Sequence, residues 1–218
     1  MLELIPAFRA KSTLSILCLG AHSDDIEIGC GGTILRLLQA CKQCDVTWVV
    51  FSAKAQRRRE ALSSAKRFLK GARASTFITK SFKESFFPYR GEAIKSCFEE
   101  LKLRFKPDLI FTHYRHDLHQ DHRVICELTW NTFRSHQILE YEIPKYDGDL
   151  GQPNVFVPLT QAECKEKVKG LMDEFSTQRS KQWFTEDTFY ALLRLRGIES
   201  NAPDKYAEAF YSRKIILG

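Results

Sequence analysis

Short apolar or β-branched runs alternate with longer stretches of helical periodicity through most of this chain. No other feature constrains the fold as much. The runs cover residues 14–19, 46–51, 76–79, 109–112, 138–143 and 154–157. Between them, residues 33–41, 57–69, 92–103 and 123–133 place their apolar side chains on one helical face, as Ala61, Leu62, Ala65, Phe68 and Leu69 do in the second stretch. Strands that alternate with helices of 10–15 residues read as βαβ units in a parallel sheet. Right-handed crossovers then predict an α/β, Rossmann-like, doubly wound, mostly parallel sheet flanked by helices. Beyond Pro158 the pattern turns helical. "TQAE" at Thr160–Glu163 has the form of a capping box, and a last helix is expected over residues 186–196. With no repeat, low-complexity tract or linker, the reading is one domain over residues 1–218 with a helical C-terminal part from about 160.

Composition narrows the function classes. A chain of 218 residues with 44% hydrophobic content suits one globular core. Its net charge of +6 suits an anionic small molecule but is too weak to argue for nucleic acid. No apolar run approaches the ~18–20 residues of a membrane span, and "LSILCLG" is too short for a secretory leader. The expected location is cytoplasmic. Seven cysteines without disulfide-framework spacing fit buried thiols in a reducing compartment, and the lone "CKQC" at Cys41–Cys44 is weak evidence of a metal or redox site. A homo-oligomer is compatible with all of this.

Two polar clusters fall where an open α/β sheet binds ligands, just past the carboxyl ends of predicted strands. "AHSDD" follows the first strand and holds His22, Asp24 and Asp25. "THYRHDLHQDHR" follows the fourth and holds four of the six histidines: His113, His116, His119 and His122. A dinucleotide fingerprint is excluded by the spacing of Gly29, Gly31 and Gly32 and by the acids in the turn, which would repel a pyrophosphate. Those glycines are expected to open a helix whose N-terminus can take an anion. The plain alternative for the turn is a helix cap by Asp24 or Asp25, which leaves His22 unexplained.

Taken together, His22, Asp25 and His122 form a two-histidine, one-carboxylate set with open positions, as a catalytic zinc requires. Ferrous iron suits the same donors. Asp24 is then free to act as general base. His119, with Asp121 beside it as orienting carboxylate, is placed to stabilise an oxyanion or protonate a leaving amine. His116 and Asp117 are expected to shape the loop and support the ligands. His113 and His136 have no assigned role.

At these residues the chain resembles the PIG-L/LmbE-like family of zinc-dependent N-acetylglucosaminyl deacetylases. The resemblance is carried by "AHSDDIEIGCGGTI" and "HDLHQDHR", is clearest from Leu14 to Arg123, and extends less specifically to "LEYEIPKYDGD". It implies an LmbE-like fold with metal ligands at His22, Asp25 and His122. Asp24 would be the base and His119 the second catalytic histidine, with Asp121 its partner. It also implies a substrate-binding arginine at Arg57, opening "RRREA". The implied reaction is hydrolysis of an N-acetyl group on an amino sugar or its conjugate, a small molecule that Arg57–Arg59 would suit if anionic. One departure stands out: Ser23 occupies the family's usual proline, and serine permits the backbone shape that proline would enforce. Three other readings compete. They are an amidase acting on a thiol–sugar conjugate, a non-haem Fe(II) oxygenase, and a non-catalytic metal- or sugar-binding module.

Overall fold

The computed structural model of the chain describes residues 10–216. Its strands are β1 (Leu14–Gly20), β2 (Cys44–Val50), β3 (Ala74–Thr79), β4 (Leu109–His113), β5 (Gln137–Tyr141), β6 (Val155–Leu159) and β7 (Tyr206–Tyr211). The helices are α1 (Asp25–Ala40), α2 (Ala55–Phe68), α3 (Gly91–Arg104), α4 (Gln120–Thr132), α5 (Gln161–Glu174) and α6 (Glu186–Glu199), with 3₁₀ turns at Phe87–Arg90 and Ser176–Gln178. The sheet order is β3-β2-β1-β4-β5-β7-β6. The first five strands are parallel, and β7 runs antiparallel to both β5 and β6. This is the doubly wound α/β sheet expected from the alternation, with an antiparallel edge added.

Central strands buried on both faces read as continuous apolar runs. In β1, Leu14, Ile16 and Cys18 enter the core layer shared with α1, α2, α5 and α6, whereas Leu17 and Leu19 enter the layer shared with α3 and α4. The order reverses between β1 and β4, so the carboxyl ends of these two strands flank the switch point where such sheets bind ligands.

The structure corrects three expectations. The C-terminal part is not purely helical, because β7 inserts between β5 and β6. "YAEAFY" gives a mixed strand signal, since its aromatics favour a strand but alanine and glutamate are poor strand formers. Pairing on both sides, and burial of Ala207, Glu208 and Ala209, override that preference. Strand β6 continues through Pro158 to Leu159; it pairs only with β7, and an edge strand tolerates a proline. Finally, α1 begins at Asp25 rather than near Thr33, so Gly29, Gly31 and Gly32 lie inside the helix. A Cβ on Gly29 would come within 2.2 Å of the Tyr141 ring, and one on Gly32 within 2.5 Å of Leu159. These glycines let the helix press onto the sheet rather than opening it toward an anion.

The Thr160–Glu163 capping box forms as read: Glu163 N–H donates to Thr160 Oγ1 at 3.2 Å, and Thr160 N–H to the Glu163 carboxylate at 2.6 Å. All seven cysteines are buried and none forms a disulfide. No helix among the described residues is long and apolar enough to cross a membrane.

Candidate metal centre and active site

The sheet turns two local sequences into one site. His22, Asp24 and Asp25 occupy the β1–α1 turn, and His119, Asp121 and His122 sit at the start of α4, which follows β4. All but His119 are buried. His22 Nδ1 lies 3.1 Å from His122 Nε2 and 3.4 Å from Asp25 Oδ2, and His122 Nε2 lies 3.5 Å from Asp25 Oδ1. Donors about 2.0–2.2 Å from a tetrahedral ion lie roughly 3.3–3.5 Å apart, so the two rings and the two oxygens of Asp25 converge at about the spacing that such an ion needs.

The hydrogen bonds behind the rings decide which nitrogens face inward. Asp121 Oδ2 is 3.1 Å from His22 Nε2, and Asp117 Oδ2 is 2.8 Å from His122 Nδ1. Each carboxylate holds a ring N–H and presents the opposite nitrogen to the centre, the usual support of a metal-binding histidine. Two lone pairs and a carboxylate then converge, and something positive must sit among them. The electrostatics agree. Burial alone would lower the His22 pKa, but Asp25 and Asp121 overrule it and raise it to about 10. Burial pushes His122 down to about 3. Against its own burial, Asp25 is held well below the carboxylate range by His122, His113 and His22. The cluster draws in one positive charge, which a proton on His22 or a metal ion can supply.

Two clusters of potential ligand atoms lie within 4.8 Å of one another, His22 with His119 and His122, and Asp25 with His113 and His122; both contain His122. One ring nitrogen of each of His119 and His113 is already engaged by a backbone N–H. Asp121 N–H donates to His119 Nδ1 at 3.2 Å, so the His119 proton lies on Nε2 and that ring faces the site as a hydrogen-bond donor. Ala21 N–H donates to His113 Nε2 at 3.0 Å and occupies its lone pair. Burial and the nearby His22 lower the His119 pKa, keeping the ring neutral near pH 7.

One sequence expectation changes here. The Asp121 carboxylate does not orient His119; it faces His22, and only the Asp121 backbone amide meets the His119 ring. The carboxylate also accepts N–H bonds from Ser85 (2.6 Å) and Phe87 (3.1 Å). Ser85 has φ +65°, a left-handed conformation uncommon for a residue with a side chain. This strained turn aims its amide at the carboxylate supporting His22.

Asp24 caps no helix with its side chain. Its Oδ1 accepts a hydrogen bond from Arg57 Nη2 at 3.0 Å, and Arg57 Nη1 bonds Glu84 at 3.0 Å. Burial raises the Asp24 pKa while Arg57 pulls it back down. Arg57 thus reaches the site as a partner of Asp24. His116 and His136 lie outside the cluster: His116 is exposed with its ring against Tyr114, and the His136 ring meets Phe133.

Several supporting residues were not assigned from sequence. Lys145 bonds Asp117 at 3.1 Å and also bonds Asp149, which accepts Leu118 N–H at 2.7 Å. Glu140 accepts bonds from Arg115 N–H (2.9 Å) and Trp130 Nε1 (2.6 Å). The buried Glu142 makes a two-point pair with Arg196 of α6, each contact 2.7 Å. The only sequence signal was "LEYEIPKYDGD" as a unit; it braces the loop that carries Asp117.

Fold and site together define an α/β protein with a buried cluster of histidines and carboxylates at its switch point that could hold a cation. The family model described as PIG-L: GlcNAc-PI de-N-acetylase matches residues 17–133, and the chain belongs to that family. Solved structures share the fold. The N,N'-diacetylchitobiose deacetylase of Pyrococcus horikoshii is 20% identical with a TM-score of 0.65, over 91% of this chain and 83% of that one. The 4-carboxy-2-hydroxymuconate hydratase of Pseudomonas putida KT2440 is 15% identical with a TM-score of 0.74, over 94% and 98%. The zinc-inhibited form of a teicoplanin deacetylase is 12% identical with a TM-score of 0.69, over 91% and 97%.

Proposed function

We propose that this chain is a metal-dependent N-deacetylase that hydrolyses the acetamide of an N-acetylated amino sugar or sugar conjugate, releasing acetate and the free amine. One observation carries the reading. A buried carboxylate, Asp24, adjoins the three-donor cluster without belonging to it and is held by Arg57 at 3.0 Å. A binding module has no use for such a group. The family supplies the reaction class. Two of the structural neighbours are named deacetylases, although a hydratase on the same fold means that the site, not the fold, must carry the argument. The oxygenase alternative falls away because oxygenase triads commonly sit on all-β barrels, whereas these donors occupy a parallel α/β sheet in a deacetylase family.

His22, Asp25 and His122 would hold the metal, zinc or ferrous iron. When bound, it supplies Lewis acidity that polarises the amide carbonyl and acidifies water. Asp24 accepts the proton of the attacking water: burial raises its pKa and makes it a stronger base than a solvated carboxylate, while Arg57 works in the opposite direction, toward the ionised form. His119 donates from Nε2 to the oxygen that gains negative charge. The proton held on Asp24 then passes to the departing amine. Arg57 acts through Asp24 rather than by a free charge offered to the substrate.

The test is elemental analysis paired with amine release from a panel of neutral and anionic N-acetyl sugars, for wild type, Asp24→Asn and His122→Ala. The expected result is one metal per chain, lost in His122→Ala, with release abolished in Asp24→Asn while its metal is retained. Full turnover in Asp24→Asn would overturn the assignment of the base. Absence of metal from carefully prepared wild type would overturn the site.

A further inference from the structure

His113 belongs to neither the metal-binding set nor the proton-moving groups, yet it is fully buried at the end of β4. Four contacts place it at the seam between the two motifs. Its Nε2 accepts the Ala21 N–H at 3.0 Å. Its ring stacks on that of His122, with centroids 3.9 Å apart and planes 17° from parallel. Its Nε2 also lies 3.2 Å from Asp25 Oδ2 and 3.2 Å from the Tyr141 hydroxyl, which donates to Leu19 O at 2.6 Å. One imidazole thus touches the backbone leading into the first motif, a ligand from that motif and a ligand from the second.

The β1–α1 turn needs such a tie. Its neighbour β2 holds it on one side, with Phe51 N–H donating to Gly20 O at 3.0 Å and Ser52 N–H to Ala21 O at 2.8 Å, and within the turn His22 N–H donates to Asp25 Oδ2 at 2.6 Å; neither ties it to β4. Ser23 does not stiffen the turn, because serine leaves φ free and its buried Oγ makes no hydrogen bond. Across the switch point, the Ala21–His113 bond ties the turn to β4.

We propose that His113 is a positioning residue. It locks the β1–α1 turn and seats the His122 ring before metal arrives, performing through a hydrogen bond and a ring stack the restraint that a proline at position 23 would impose through φ. The inference rests on the metal site assigned above. It concerns how that site is preorganised, so its readout is metal affinity rather than turnover.

The experiment measures the equilibrium zinc affinity of the full chain by competition with a chelator, alongside the melting temperature of the metal-free protein. His113→Phe keeps a ring for stacking but removes the acceptor, and its zinc dissociation constant should rise about 10–100-fold. His113→Gln keeps an acceptor at similar reach and should stay within roughly threefold of wild type. Ser23→Pro should tighten binding in the His113→Phe background while changing wild type little, a non-additivity that general destabilisation would not produce. Should His113→Phe fail to fold, His113→Asn, whose acceptor falls short of Ala21, takes its place. Zinc affinity of His113→Phe within about twofold of wild type would overturn the proposal, as would an equal effect of Ser23→Pro in both backgrounds. A wild type that binds no zinc would instead overturn the underlying metal-site assignment.

Discussion

Replacing Gly29 by alanine sets a local preference against a tertiary contact. In an unconstrained helix interior, Gly→Ala stabilises by about 1 kcal/mol, because alanine loses less backbone entropy. Here the added Cβ would sit 2.2 Å from Tyr141 Cδ2, 2.4 Å from its Cγ and 2.9 Å from its Cβ. These atoms are the root of the ring, not a flexible end, and the hydroxyl at the far end is tied to Leu19 O. Overpacking a closed core costs about 1–3 kcal/mol, and this contact belongs at the upper end. Subtracting the helix gain leaves a net destabilisation of about 2 kcal/mol. For a chain of this size that corresponds to a fall in melting temperature of about 4–8 °C. Thermal denaturation of the metal-free protein reads it directly. Gly91→Ala is the control, since a Cβ there meets nothing within 4 Å; it should leave stability unchanged or slightly higher. A Gly29→Ala protein as stable as wild type or more so would refute the close-packing explanation and return these glycines to a conformational role.

Two further outcomes follow from the carboxylates. Asp117→Asn removes the negative charge behind His122 and weakens the anchor of Lys145, and zinc affinity should fall about 10–100-fold in a chelator competition; unchanged affinity would separate Asp117 from the metal site. Glu27 is fully buried with only Ser64 near enough to offset the loss of water, and burial raises its pKa well above 4.5. A raised acid contributes its stability below the unfolded pKa and loses it as pH climbs toward the folded pKa, by about 1.4 kcal/mol per pH unit at most. Glu27→Gln should therefore gain melting temperature relative to wild type progressively from about pH 4.5 upward. A difference that stays flat across that range would show that Glu27 is ionised in the folded protein.

Much of the fold was legible because its signals are local. Strands β1, β2 and β4 are compact apolar runs whose neighbours in sequence are amphipathic helices, and that pattern needs no partner to be read. The Thr160–Glu163 cap is legible for the same reason, since donor and acceptor lie within one turn. Strand β7 was not, because its aromatics, which favour a strand, are interrupted by alanine and glutamate, which do not. Glu208 shows why: it is buried because Lys167 Nζ (2.6 Å) and the amides of Gly32 (2.8 Å) and Thr33 (2.6 Å) bond its carboxylate, and all three partners lie far away in sequence. The orientation of Asp121 was hidden likewise. Adjacency suggested His119, but the side chain leaves the start of α4 toward His22 and is captured by the Ser85 and Phe87 amides.

By itself, the sequence determined which chemical groups are available and in which order. The strand–helix alternation places two polar clusters after two strand ends, and residue type alone makes His22, Asp24, Asp25, His119 and His122 candidates for metal and proton chemistry. Which nitrogen of each ring faces the centre, which carboxylate supports which histidine, and what His113 touches were decided only by the tertiary structure. Tautomer and ligand geometry depend on hydrogen bonds between segments about a hundred residues apart, such as His22 to Asp121, and those segments meet only when the parallel sheet brings the ends of β1 and β4 together.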